Sequence, residues 1–293
     1  GMNFHVRQDI QPERPLEILV PACQSAPVVF SSPHSGNCYP ASFIADSCLD
    51  PHALRLSEDC YVDDLFGNAP DYGAPLIRAL FPRAYVDVNR EEYELDPEMF
   101  ADPLPPYVTT RSPRISAGLG TVARIVASGS EIYGDRKLSF ADAEDRLQNC
   151  YRPYHSALSR LIEETRSRFG LCLLIDCHSM PSLRNIKPKL DVVLGDCYGS
   201  ACRSDITDLA EGYLTEAGLT VGRNTPYAGG FITRTYGQPQ DNIHSLQIEI
   251  SRDLYMNERR LTKHTDFNLM KGVMSGLVSQ LTSFGQSMTV AAA

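Results

Sequence analysis

Residues 171–180 read LCLLIDCHSM, an apolar run that stops abruptly at Asp176, Cys177, His178 and Ser179. A strand can be apolar on both faces only where neighbours cover it, so the run predicts a central strand of a parallel or mixed sheet. In open α/β sheets ligands collect at the carboxyl ends of strands, and His178 stands at that end. A second strand-like run, residues 26–32 (APVVFSS), ends the same way, in Pro33-His34-Ser35-Gly36. Two strands that each end in a histidine suggest one site fed by both, and a metal is the simplest reason for the pairing.

Working outward, residues 50–66 carry an imperfect helical pattern interrupted by the acidic pair Glu58-Asp59. Residues 76–80 and 83–88 read as short strands, the second ending in Asp87-Val88-Asn89-Arg90. Prolines at 97, 103, 105, 106 and 113, with glycines at 118 and 120, break any period over residues 91–125. That stretch is predicted to be an irregular insertion, a lid or a wrapped loop. Residues 141–169 have helical spacing with Pro153 expected to kink or split them, and Gly170 is placed to end the helix before the central strand. Further on come a strand at 190–194, a helix at 204–217 with Ser204 as N-cap, and a glycine-paired loop at 221–237. A cleanly alternating strand at 245–250 carries Glu249, and a last helix at 257–284 should bury Leu261, Phe267, Leu269, Met270, Val273, Leu277 and Leu281. Helices alternating with strands predict one α/β domain over residues 1–293, with a mixed, largely parallel sheet flanked by helices.

Composition agrees with a globular chain: 43% apolar and 22% charged residues are enough for a sizeable core. The net charge of −9 argues against nucleic acid and anionic membrane as partners, although arginines gathered locally can still bind a small anion. Nine cysteines without CxxC pairs disfavour a disulfide framework and a zinc ribbon, and suit a reduced, cytoplasmic setting. The first residues lack the order of a signal peptide, no apolar run approaches the roughly 18 residues of a membrane span, and Gly1 before Met2 reads as an expression remnant. Oligomeric state has no signature.

A lone histidine after a strand is ordinarily structural. His34 and His178 share the strand-end context, with Asp59 or Glu58 available as a carboxylate, and zinc suits two imidazoles with one carboxylate. Three protein ligands leave a fourth position open for a water, which marks a catalytic rather than a structural site. Cys177 should face the core, opposite His178. Glu249, an acid among apolar neighbours, is the candidate base, its plainer alternative being an ion pair with Arg252. Asn89 and Arg90 offer a fork for a carboxylate, against the plainer reading of a salt bridge to the acids at 91–98. Arg223 and Arg234 flank the glycine pair and could hold an anion or lie solvated on the surface. His5, His52, His155, His244 and His264 read as structural or exposed. Ser32, Ser35 and Ser179 lack a GxSxG elbow, which argues against a serine hydrolase.

Taken in order, SPHSG (32–36), EDCYVDDLF (58–66), DVNRE (87–91), DCHSMPS (176–182), GGFITRTYG (229–237) and QIEISRDLYM (247–256) closely resemble the N-formylglutamate amidohydrolase family, over nearly the whole chain from about residue 26 to 281. The resemblance implies kinship with zinc carboxypeptidases and aspartoacylases, and so a phosphorylase/hydrolase-like sheet. It implies Zn2+ on His34, an acid of Glu58-Asp59 and His178, with Asn89-Arg90 on a substrate carboxylate and Glu249 as the late catalytic glutamate. The chain departs from the carboxypeptidase HxxE pattern, since Asn37 stands three residues after His34. Asp59, matching the aspartate of the family's D-x-Y-V-D pattern, is therefore preferred over Glu58. The implied activity is hydrolysis of N-formyl-L-glutamate to formate and L-glutamate, a step in histidine breakdown. The alternatives are a zinc amidase for another small N-acyl amino acid, such as an N-acylaspartate, or a non-catalytic module that binds metal or an amino acid.

Overall fold

The computed structural model describes residues 14–292, so the readings of the N-terminal leader pattern, Gly1 and His5 lie outside the described residues. The chain forms two compact units. One takes the chain up to Glu17, Pro33–Glu58 and Ala79–Ala157; the other takes Ile18–Ser32, Asp59–Arg78 and Leu158–Ala293.

The second unit holds nearly all of a seven-stranded sheet: β1 (Leu16–Leu19), β2 (Val28–Ser32), β3 (Leu76–Ala79), β4 (Cys172–Met180), β5 (Val192–Gly195), β6 (Val221–Arg223) and β7 (Ile243–Ser251). The spatial order is β1-β3-β2-β4-β7-β5-β6. The LCLLIDCHSM run is β4, buried at all nine positions between the parallel neighbours β2 and β7. β5 runs antiparallel to β7, which makes the sheet mixed and largely parallel, as expected from the helix–strand alternation. β7 is the alternating strand expected at 245–250, and all nine of its residues are buried between β4 and β5. The alternation lays a polar row inside the protein. In the parallel register Asp176 is paired with Gln247 and His178 with Glu249, so these four side chains share one face of the sheet while Cys177 and Ile248 share the other.

Helices α1 (Arg152–Phe169), α2 (Ser204–Glu216), α3 (Phe231–Tyr236) and α4 (Phe267–Ala292) accompany the sheet, α1 beginning in the first unit and passing into the second at Leu158. α4 packs on α2 and β2 and buries Leu277, Val278 and Leu281 completely, each contributing about 2 kcal/mol of apolar burial. Gly276 lets the two helices meet, since a Cβ there would fall 1.9 Å from the Tyr213 hydroxyl, which donates to the Val273 carbonyl at 2.7 Å. No helix among the described residues is long and apolar enough to cross a membrane.

Several local expectations change. Residues 83–88 are turns rather than a strand, because the Pro82 carbonyl accepts from the backbone of Tyr85 and Val86 and curls the chain at once. The helix at 204 is entered through Arg203, leaving Ser204 inside the first turn without a capping bond. The 221–237 loop contains β6 and α3. The last helix starts at Phe267, since residues 256–263 form a small antiparallel pair, Met256–Asn257 with Thr262–Lys263. Leu269 is exposed on its outer face. Pro153 neither breaks nor ends its helix: a π-helical segment, Leu147–Tyr151, joins Phe140–Arg146 to α1, and this wider turn accommodates a residue that has no N–H to give. Gly170 ends α1 at φ +81°.

The first unit has its own core, in which Tyr39, Phe43, Leu54, Leu95, Val126 and Ile132 are packed. Arg146 is buried inside it. Its guanidinium stands 4.4 Å from the Tyr85 ring centre and donates to the Tyr85 carbonyl at 2.9 Å and the Tyr133 hydroxyl at 2.7 Å. Much of residues 91–125 lacks regular structure, apart from the turns Pro97–Met99 and Pro113–Ser116.

Candidate active site

β2 runs out at Ser32, and His34 follows in the PHSG loop with 2% of its surface exposed. The loop is pinned: Cys38 donates its backbone N–H to Leu80 at 2.9 Å, and Gly36 lies so close to residues 79–81 that a Cβ would stand 2.2 Å from the Phe81 carbonyl oxygen. Asp59 sits where the helical pattern of 50–66 fails. A 3-10 turn ends at Ser57, and Tyr61 takes a left-handed φ of 65° before the short helix Val62–Leu65 begins. Its ring packs on Phe267 and its hydroxyl donates to the Leu261 carbonyl at 2.7 Å, contacts that offset a backbone conformation a non-glycine residue rarely takes. His178 comes from the end of β4.

His34, Asp59 and His178 are all buried, and each offers one ligand atom within 4.8 Å of the others. Glu58 is not in this group. Its carboxylate accepts from Arg55 at 3.0 and 3.2 Å and from the Tyr39 hydroxyl at 2.5 Å.

The donor set suits a metal ion that takes nitrogen and oxygen ligands. Each imidazole is backed by a buried carboxylate: Nε2 of His34 stands 2.6 Å from Asp87 Oδ1, and Nε2 of His178 stands 2.6 Å from Asp176 Oδ2. Such an outer-shell arrangement fixes the tautomer and orientation of a metal-bound histidine, and here it would make Nδ1 the ligand atom of each ring. Nδ1 of His178 is 3.2 Å from Asp59 Oδ2. Burial acts to lower the His178 pKa, but Asp176, Asp59 and Glu249 outweigh it and hold the imidazole well above its ordinary value. Burial acts to raise Asp87, and His34, Arg90 and Arg83 hold it well below the usual carboxylate range.

Asp87 also organises the Asn89-Arg90 turn by accepting the Asn89 backbone N–H at 2.8 Å. Tyr151 and His155, one turn apart on the helical run, hold the same loop, the tyrosine donating to the Arg90 carbonyl at 2.6 Å and Nε2 of His155 lying 2.8 Å from the Val88 carbonyl. Arg90 is buried, donates to the carbonyls of Leu119 at 2.7 Å and Asn89 at 2.8 Å, and has its pKa lowered to about 10 by burial, so it remains a cation at neutral pH.

Glu249 lies on β7 beside His178, with Gln247 Nε2 at 3.5 Å from its Oε1. Gln247 in turn accepts the backbone N–H of Gly230 at 2.9 Å, tying the glycine-paired loop to this row. Arg252, the alternative partner for Glu249, donates instead to Asp59 at 2.9 Å. Arg223 is drawn to the α2 side of its strand, where Asp208 at 2.7 Å and Glu211 at 2.6 Å take its guanidinium. Arg234 is exposed on α3. Cys177 is fully buried, and burial pushes its thiol well up. His244 accepts from the Arg203 backbone at 3.1 Å, a structural contact.

The histidine-backing role of Asp87 and Asp176, and the grip of Arg252 on Asp59, were not read from the sequence. Asp176 carried a signal, since D-x-H on a strand puts both side chains on one face. Asp87 and Arg252 carried none, being 53 and 193 residues from the groups they meet.

The sequence profile of the family described as N-formylglutamate amidohydrolase matches residues 26–256. The chain belongs to the N-formylglutamate amidohydrolase family. The chemistry of that family is amide hydrolysis. The chain is 35% identical to an N-formylglutamate amidohydrolase from Ralstonia eutropha JMP134, over 93% of this chain and 99% of that one, with a TM-score of 0.88. It is 28% identical over 239 residues to the N-formylglutamate deformylase of Pseudomonas putida, covering 79% of this chain and 82% of that protein. A gene product of Agrobacterium tumefaciens shares the fold, at 19% identity and a TM-score of 0.66, over 92% of this chain and 96% of that one.

Proposed function

We propose that the protein hydrolyses N-formyl-L-glutamate to formate and L-glutamate, with Zn2+ held by His34, Asp59 and His178. The observation that carries the reading is the buried donor set, three ligand atoms within 4.8 Å, in a chain whose relatives are named for this substrate. Bound Zn2+ supplies a Lewis acid for the formyl carbonyl and lowers the pKa of a water towards about 7. The chain's own residues do the rest. Asp87 and Asp176 fix the rings of His34 and His178 through Nε2. Glu249, in register with His178, takes the proton of the attacking water at a carboxylate oxygen. It then delivers that proton to the departing nitrogen, which could not leave as an amide anion. Asn89 and Arg90 receive the α-carboxylate, the arginine already oriented by the Leu119 and Asn89 carbonyls. Arg234 is assigned the side-chain carboxylate in preference to Arg223, whose guanidinium is engaged by Asp208 and Glu211.

The reading is tested by measuring hydrolysis of N-formyl-, N-acetyl- and N-succinyl-L-glutamate and N-acetyl-L-aspartate, each followed by its own acid product: formate, acetate, succinate and acetate. A kcat/KM at least about tenfold higher for the formyl substrate supports it. Preference for an acetyl or succinyl compound would move the assignment to another N-acyl amino acid, and Zn2+ binding without turnover of any of them would make the protein a binding module.

A further inference from the structure

The two carboxylate oxygens of Asp59 face different partners. Oδ2 lies 3.2 Å from Nδ1 of His178, whereas Oδ1 accepts from Nη2 of Arg252 at 2.9 Å. Arg252 is itself buried, and its Nε donates to the Ser179 hydroxyl at 3.1 Å. It opens the 3-10 turn Arg252–Leu254 that follows β7, and the next residue, Tyr255, donates its hydroxyl to the Cys60 carbonyl at 2.6 Å. One turn therefore grips both ligand-bearing segments: Asp59 and its neighbour Cys60, and the residue that follows His178.

We propose that Arg252 is a positioning residue for the metal centre: it holds Asp59 by Oδ1 so that the carboxylate presents Oδ2 alone to the metal. This rests on the metal-hydrolase reading above. A carboxylate free to rotate can close on a cation with both oxygens, filling a position that a catalytic site keeps open. A charge-assisted bond to one oxygen prevents that. The guanidinium also compensates one of the negative charges that Asp59, Asp176 and Glu249 bring to the neighbourhood of His178. Its two donor sites serve two acceptors at once, which the single ammonium of a lysine does not do in the same geometry. A purely structural ion pair would be indifferent to the metal, and that difference can be measured.

The experiment compares the wild-type protein with Arg252→Met and Arg252→Lys. It reads Zn2+ affinity, by competition with a chromophoric chelator, and the visible absorption spectrum of the Co2+-loaded protein, with far-UV circular dichroism as the check on folding. Arg252→Met is expected to bind Zn2+ about 10- to 100-fold more weakly, the usual cost of losing an outer-shell partner. Its Co2+ bands should weaken as the carboxylate closes on the ion and coordination number rises. Arg252→Lys should fall between that variant and wild type. A folded Arg252→Met with Zn2+ affinity within about twofold of wild type and an unchanged Co2+ spectrum would overturn the assignment; if that variant does not fold, the same result in Arg252→Lys overturns it. A wild-type protein that binds no Zn2+ would overturn the metal reading and this assignment together, whereas a zinc-binding wild type with indifferent Arg252 variants removes only the role of Arg252.

Discussion

In the proposed mechanism Glu249 and the two carboxylates behind the histidines have separable roles, and single substitutions distinguish them. Glu249→Gln keeps the shape of the polar row and removes the proton acceptor, so turnover should fall about 100-fold or more while bound zinc stays at the wild-type level. Near-normal turnover in that variant would take Glu249 out of its role. Asp87→Asn and Asp176→Asn leave all three ligands intact but alter the tautomer that each backs, and should weaken zinc binding about 10- to 100-fold in a chelator competition. Arg234→Ala should raise KM for N-formyl-L-glutamate with little change in kcat, while Arg223→Ala should move neither; the opposite pattern would return the side-chain carboxylate to Arg223. At this scale the sequence was legible where chemistry is concentrated at strand ends. His34 and His178 could be picked out because both follow strands, whereas the choice of Asp59 over Glu58 came only through the resemblance to the family's D-x-Y-V-D pattern. Asp87 and Arg252 could not be picked out, because their significance depends on which distant segment the fold brings to them.

Among the elements, β4 was readable because only a covered strand can be apolar on both faces. β7 was readable from its alternation, and its polar positions form the inner row carrying Gln247 and Glu249. Residues 83–88 have β-forming composition, but Pro82 commits the chain to a turn and the Asp87 N–H goes to the Thr121 carbonyl rather than to a ladder. The PHSG loop gives the sharpest test of an element. A Cβ on Gly36 would press on the backbone of residues 79–81, which cannot yield as a flexible side chain can. Gly36→Ala should therefore destabilise the protein by about 2 kcal/mol or more, seen as a lowered melting temperature, and should displace His34 enough to weaken zinc binding. Wild-type stability in that variant would mean that the loop is not pinned as described.

For the whole molecule, the cysteine pattern was read as a reduced set without a framework, and all nine are free thiols. Only Cys23 and Cys48 are exposed. Burial pushes Cys150 and Cys202 up to about 12 and raises Cys172 and Cys177 as well, so these are protonated and shielded at neutral pH. A thiol reagent should label two cysteines rapidly in the native protein, Cys197 more slowly, and all nine after denaturation; rapid native labelling of Cys177 would contradict the buried face of β4. The division into two compact units was not visible in the sequence, because their segments alternate along the chain without a change in composition at Ser32, Glu58 or Arg78. The most direct test of the protein as a whole is formate release from N-formyl-L-glutamate, with zinc content measured on the same sample before chelation, after it, and after Zn2+ is restored. About one zinc per chain, loss of activity in step with loss of metal and recovery on re-addition are expected; full activity in metal-free protein, or zinc-loaded protein with no activity towards this substrate, would contradict the proposed function.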